Sequence, residues 1–158
     1  MVPVFIVVGL CVSYFALALL FAFFFENRMP QFTGRAVMSV CIIAFCATLA
    51  FILAAVIPDT EFGNRIQHAF GGGFVTYLIC YLAVRDSNVR VDRLHFAIFA
   101  LLIVTAMGVA NELLEFFLQT HTAGVFADNP LDTWRDLASN SVGALIAACV
   151  FLMPAKHS

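Results

Sequence analysis

Five apolar stretches, separated by short polar intervals, organise the chain: Val2 to Phe25, Ala36 to Ile57, Ile66 to Val84, Leu94 to Leu118, and Trp134 to Met153. Each reaches or approaches the roughly 20 residues that carry a helix across a hydrocarbon core. The intervals hold charge or turn chemistry: Glu26-Asn27-Arg28 with Pro30, Pro58-Asp59, Arg85-Asp86-Ser87-Asn88, and the segment from Gly124 to Pro130. The pattern predicts an all-α, polytopic integral membrane bundle of about five transmembrane helices, one transmembrane domain over residues 1–158. The first stretch lacks a basic n-region and outruns a signal-peptide core of about 7–15 residues, so it reads as a retained helix.

Composition narrows the class further. The 158 residues are 63% apolar and 11% charged, with 18 Phe. Soluble domains carry about 25% charge, which this chain cannot supply to a wetted surface. The net charge is −2 and no basic stripe exists, so no nucleic-acid partner is expected. The partners expected instead are the lipid bilayer and other membrane subunits. Cys11, Cys41, Cys46, Cys80 and Cys149 all sit inside apolar runs and read as small packing residues without a disulfide.

Orientation follows from Lys and Arg. Arg28, Arg35, Arg85, Arg90, Arg93 and Lys156 fall on one side, whereas only Arg65 and Arg135 fall on the other. The expected arrangement is a bacterial cytoplasmic (inner) membrane protein with its N-terminus outside and its C-terminus cytoplasmic.

Ionisable groups inside spans cost about 2.5–3.5 kcal/mol each at a helix centre, so their positions are informative. They concentrate in the last three spans. In the third, His68, Gly72 and Thr76 share a face, and Gly71-Gly72-Gly73 is expected either to admit a close neighbour or to break the helix. The fourth carries a polar stripe of Gly108, Asn111, Glu112, Glu115 and Gln119. In the fifth, Asp132, Asp136, Asn140 and Gly143 lie on one face. With the orientation above, His68, Glu112, Glu115 and Asp136 stand at one level in the outer leaflet.

Structural roles compete with functional ones at each position. Thr133 and Asp136 fit a capping box, and Asn129-Pro130 fits an earlier helix start with Asp132 in its first turn. Arg135 suits pairing with Asp132 or snorkelling to head groups. His68 suits a hydrogen-bonded structural role, and Gln119, His121 and Asp128 a solvated loop. As a set, the residues favour a pocket: Glu112, Glu115, His68 and Asp136 as catalytic candidates, and Asn111, Arg135, Asn140 and Asp132 as substrate-binding candidates. A divalent metal is a candidate cofactor, with His68, Glu112 and Asp136, joined by Glu115, as its ligands.

The motifs "NRIQHAFGGGF", "ANELLEFF" and "DTWRDLASNSVGAL" together resemble the VanZ-like membrane proteins and the related YjdF-type inner-membrane proteins. The resemblance covers Asn64 onward. The sequence departs from that pattern in having Asn64-Arg65 where Asp-Lys is frequent, and Glu115 where Gln is frequent. The resemblance implies a cell-envelope function at the outer leaflet. Three functions follow as expectations, in this order: a pocket that binds or acts on a lipid-linked or head-group substrate; a non-enzymatic subunit of a membrane complex; a proton or ion carrier. The third is disfavoured because the cytoplasmic halves of the spans lack a continuous ionisable path.

Overall fold

In the computed structural model, residues 2–30, 32, 34–122 and 130–151 are described. The separator from Gly124 through Asn129, Asp128 within it, and the tail beyond Phe151 with Met153 and Lys156 lie outside these. The described residues form helices α1 (Val2–Glu26), α2 (Gly34–Val56), α3 (Thr60–Gln67), α4 (Thr76–Asp86), α5 (Arg93–His121) and α6 (Pro130–Val150), with a π-helical segment, His68–Val75, joining α3 to α4. Thr60 through Asp86 is therefore one continuous rod. The result is an all-α membrane bundle. Three helices, over Val4–Glu26, Gly34–Val56 and Arg93–His121, are long and apolar enough to cross a membrane by themselves. The central rod and α6 carry polar groups within their apolar stretches.

The rod occupies the middle. α1 packs on α4 and α2, α2 on α3, α5 on α6 and α4, and α6 most intimately on the π segment. Accordingly, every residue from Val75 to Cys80 is buried, although the stretch contains Thr76 and Tyr77. The outer helices bury narrow stripes of small or aromatic residues: Tyr14, Ala18 and Ala22 in α1; Ser39, Ile43, Ala47 and Ala50 in α2. Their remaining faces expose Phe5, Phe23, Phe24, Phe45 and Ile52, the reverse of a soluble protein and what a lipid solvent permits.

Several local expectations are corrected. Asp59 does more than end the second span: its side chain accepts from Phe62 N at 3.0 Å and caps α3. The three glycines do not break the third span; the chain widens into π-helical turns there and continues as α4. Gln119 and His121 belong to the last turns of α5 and not to a loop. α6 already begins at Pro130, so Thr133 and Asp136 lie inside the helix and form no capping box at its start. All five cysteines are free thiols.

The π segment lets α6 come unusually near. A Cβ on Gly73 would run into the carbonyl oxygen of Asn140, with Ala144 N and Gly143 Cα at 2.9 Å. One on Gly143 would run into the carbonyl oxygen of Ala69. Glycine is required at this crossing because backbone, which cannot step aside, is what the missing side chain would meet.

Candidate functional site

The site is built where α5, α6 and the π segment meet. In α5, Phe96, Ala100, Val104, Gly108 and Glu112 are buried, one residue in every four. Glu112 is thus the last member of an inward stripe that is otherwise apolar. Gly108 lets α6 approach, with Asn140 Nδ2 lying 3.0 Å from where a Cβ would sit. In α6 the inward face is Asp136, Asn140, Gly143, Ala144 and Ala147. His68 is the first residue of the π segment, so its ring points into the same junction.

These positions bring the side chains together. One donor atom each from His68, Glu112 and Glu115 lies within 4.8 Å of the others. His68 Nε2 stands 3.4 Å from Asp136 Oδ2. Asn64 Nδ2 donates to both Asp136 oxygens, at 3.1 and 3.2 Å. Asn111 Nδ2 donates to Glu115 Oε1 at 2.7 Å. Glu112, Asp136 and Asn140 are buried, 8%, 3% and 4% exposed, yet Glu112 Oε1 and Asn140 Oδ1 have no hydrogen-bond partner among the described residues. Buried acceptors are normally matched, so two unmatched ones at one junction set it apart from the rest of the interior.

A cavity of about 160 Å³ opens beside this cluster. Its polar wall is Gln67, His68, Thr76, Asn111, Glu115 and Asn140; its apolar wall includes Ile6, Leu10, Ala47, Ala50 and Phe51 from α1 and α2. A second, larger groove of about 760 Å³ runs between the start of α1, the end of α2 and α3, along Val8, Phe51, Ile52, Ala55, Gly63 and Gln67. Phe51 and Gln67 are walls of both.

The remaining sequence candidates fall around the rim. Arg135 is exposed and its guanidinium engages Glu61 of α3, which also holds Arg65, an ion pair across helices. Asp132 is half-buried in the first turn of α6. Gln119 is exposed, beyond Glu115. Sequence reasoning missed Asn64, which orients Asp136, and Gln67, which faces both hollows. The i, i+3 spacing of Asn64, Gln67 and the adjoining His68 held that signal.

A second buried polar cluster lies at the opposite end of the rod. Asp86 Oδ2 accepts from Tyr14 Oη at 2.8 Å and Ser39 Oγ at 2.5 Å, and Asp86 Oδ1 accepts from Arg85 Nε at 2.8 Å. Arg85 Nη2 also donates to Ser39 Oγ at 2.9 Å. Nearby, Glu26 clips the end of α1 to the connection between α4 and α5, accepting from Arg28 Nε at 2.5 Å and Arg90 N at 2.8 Å. The Arg28 guanidinium and then the Arg90 amide hold the Glu26 carboxyl below the usual carboxylate range. Arg28 and Arg85 thus have structural partners as well as a place in the charge asymmetry.

The chain belongs to the family described as predicted membrane protein (DUF2238), whose family model matches residues 3–157. It is therefore a membrane protein in contact with the lipid bilayer. No curated protein and no solved structure gives a significant match.

Proposed function

We propose that this protein binds a lipid or lipid-linked substrate, taking the polar head into the cavity of His68, Asn111, Glu115 and Asn140 and the chain into the adjoining groove. The supporting observation is the shared wall at Phe51 and Gln67: the cavity that carries His68, Asn111, Glu115 and Asn140 and the larger, mainly apolar groove border the same two side chains. An amphiphile has that shape, and a soluble polar metabolite does not. The groove is open to the side: Val8 and Ile52 in its wall are among the exposed apolar residues that a lipid would meet.

The reading takes the cluster as lying in the outer leaflet of the bacterial cytoplasmic membrane, with the N-terminus outside, from the Arg and Lys asymmetry. It also keeps the VanZ-like resemblance and the cell-envelope role that this implies. The chemistry such residues support is hydrolysis or group transfer at the head group. Glu112 or Glu115 would take a proton from the attacking group, and His68, beside Asp136, would give a proton of its own to the leaving group.

A phospholipid with a photoactivatable group near the top of its acyl chain provides the test. Labelling should concentrate on peptides containing Val8, Phe51 and Ile52, and it should fall in Glu115→Gln and in Ala55→Trp, which fills the groove. Labelling spread evenly over the lipid-facing surfaces, and indifferent to both substitutions, would remove the proposal.

A further inference from the structure

The geometry points to a divalent-cation site in which His68, Glu112 and Glu115 each give one ligand, in place of the proton-transfer roles given to them above, with Asp136 as the residue that positions the imidazole. Donor atoms of the three groups lie within 4.8 Å of one another. In a zinc site with bonds of about 2.0–2.2 Å the donors stand about 3.4 Å apart, so closing the site takes side-chain movements of about an ångström.

Neighbouring acids and a histidine would not by themselves make a site. The independent observation is the pair of orphaned acceptors. Glu112 is more than nine-tenths buried and its Oε1 has no hydrogen-bond partner among the described residues; Asn140 Oδ1 is in the same condition on the cavity wall. Burying an acceptor without a donor costs its full desolvation, and a cation between the two carboxylates removes that cost.

The outer layer is also built. Asp136 stands 3.4 Å from His68 Nε2 and is itself held by Asn64, while Asn111 holds Glu115. Metal-binding imidazoles and carboxylates are characteristically held by such secondary polar partners, here an ion-pair contact for His68 and hydrogen bonds for Asp136 and Glu115. Two carboxylates with one imidazole suit Mn²⁺ or Zn²⁺; Ca²⁺ and Mg²⁺ favour oxygen donors alone. The cavity beside the ligands has room for the waters that such an ion retains. Of the four ligand candidates on sequence grounds, His68, Glu112 and Glu115 remain as ligands and Asp136 becomes a positioning residue.

The test uses the full chain purified in lipid-free detergent, stripped with chelator and dialysed against MnCl₂ or ZnCl₂. One metal ion per chain is expected, with imidazole-nitrogen coupling to bound Mn²⁺ in pulsed electron paramagnetic resonance. His68→Gln should abolish that coupling, and Glu112→Gln should abolish stoichiometric binding. Asp136→Asn should weaken affinity by about 10–100-fold, as loss of a secondary partner does. Glu61→Gln, an exposed acid outside the cluster, should bind as the parent does. The spectroscopic result on the unsubstituted chain stands even where a variant fails to fold. Substoichiometric metal, bound Mn²⁺ without nitrogen coupling, or an equal loss in Glu61→Gln would overturn the site. Because no lipid is present, the outcome is separate from the substrate reading: metal without lipid labelling removes only the latter, and lipid labelling without metal removes only the former.

Discussion

Gly143→Ala should be among the most damaging single-methyl additions available in this protein. The new Cβ would overlap the Ala69 carbonyl, with Ala69 C at 2.6 Å and Phe74 N at 3.0 Å. All of these atoms are backbone in the π segment, so relief requires α6 to move away from the rod. Overpacking in a tight core costs roughly 1–3 kcal/mol, and an all-backbone obstacle belongs at the upper end. Alanine recovers about 0.5–1 kcal/mol of helix propensity, leaving a net loss of about 2 kcal/mol, some thirtyfold in the folded-to-unfolded ratio. Gly9→Ala is the matched control, because nothing lies within 4 Å of its Cβ position; it should be neutral or stabilising by about 0.5–1 kcal/mol. Gly108→Ala should fall between them, since its nearest neighbours are the side chains of Asn140 at 3.0 Å and Leu137 at 3.4 Å. Unfolding in mixed detergent micelles, followed by circular dichroism, ranks the three. If Gly143→Ala were as stable as Gly9→Ala, the close crossing that carries Asp136 and Asn140 to His68 would be refuted.

Further predictions concern the second cluster and the clip. Tyr14→Phe removes one of three groups donating to the Asp86 carboxylate and should cost about 1.5 kcal/mol in the same unfolding assay, the lower end for a bond to a charge. Asp86→Ala leaves Tyr14, Ser39 and Arg85 without their common acceptor and should cost about 3–5 kcal/mol, with loss of folded protein on expression as the checking observation. Glu26 is held below the ordinary carboxylate range, so its contribution is present above that range and is lost as pH falls through the depressed value. Hydrogen exchange at the Arg90 amide, which Glu26 accepts, should therefore show extra opening only in acid below the ordinary carboxylate range, and at all pH values in Glu26→Ala.

The polar half of the candidate site was legible in the sequence because membrane spans make ionisable residues conspicuous. Glu112 and Glu115 stood out against an apolar helix, and Asp136, Asn140 and Gly143 shared a face that the structure buries. The apolar half was not legible. Ile6, Leu10, Ala47 and Phe51 line the cavity, but nothing in their composition distinguishes them from the lipid-facing residues beside them. The direction of a side chain on an apolar helix depends on which neighbour it meets, and α1 and α2 offer no periodicity to reveal it. The Tyr14–Ser39–Asp86 cluster escaped for a related reason. Its members come from three helices, and Arg85-Asp86 looked like a span boundary when it is also a buried junction. The third helix was located from Ile66 to Val84, whereas α3 extends it back to Thr60, because the polar stretch before Ile66 has its own cap at Asp59.

The central claim is that residues from the π segment and α5 act as one site. The most direct measurement is a double-mutant cycle for His68 and Glu112, comparing the unfolding free energies of His68→Gln, Glu112→Gln and the double variant with the parent chain. Groups sharing one site couple by about 0.5–3 kcal/mol, whereas independent positions add within about 0.3–0.5 kcal/mol. The geometry predicts coupling of about 1 kcal/mol or more. Additivity within error would contradict it and separate two residues that the cation site requires to be together.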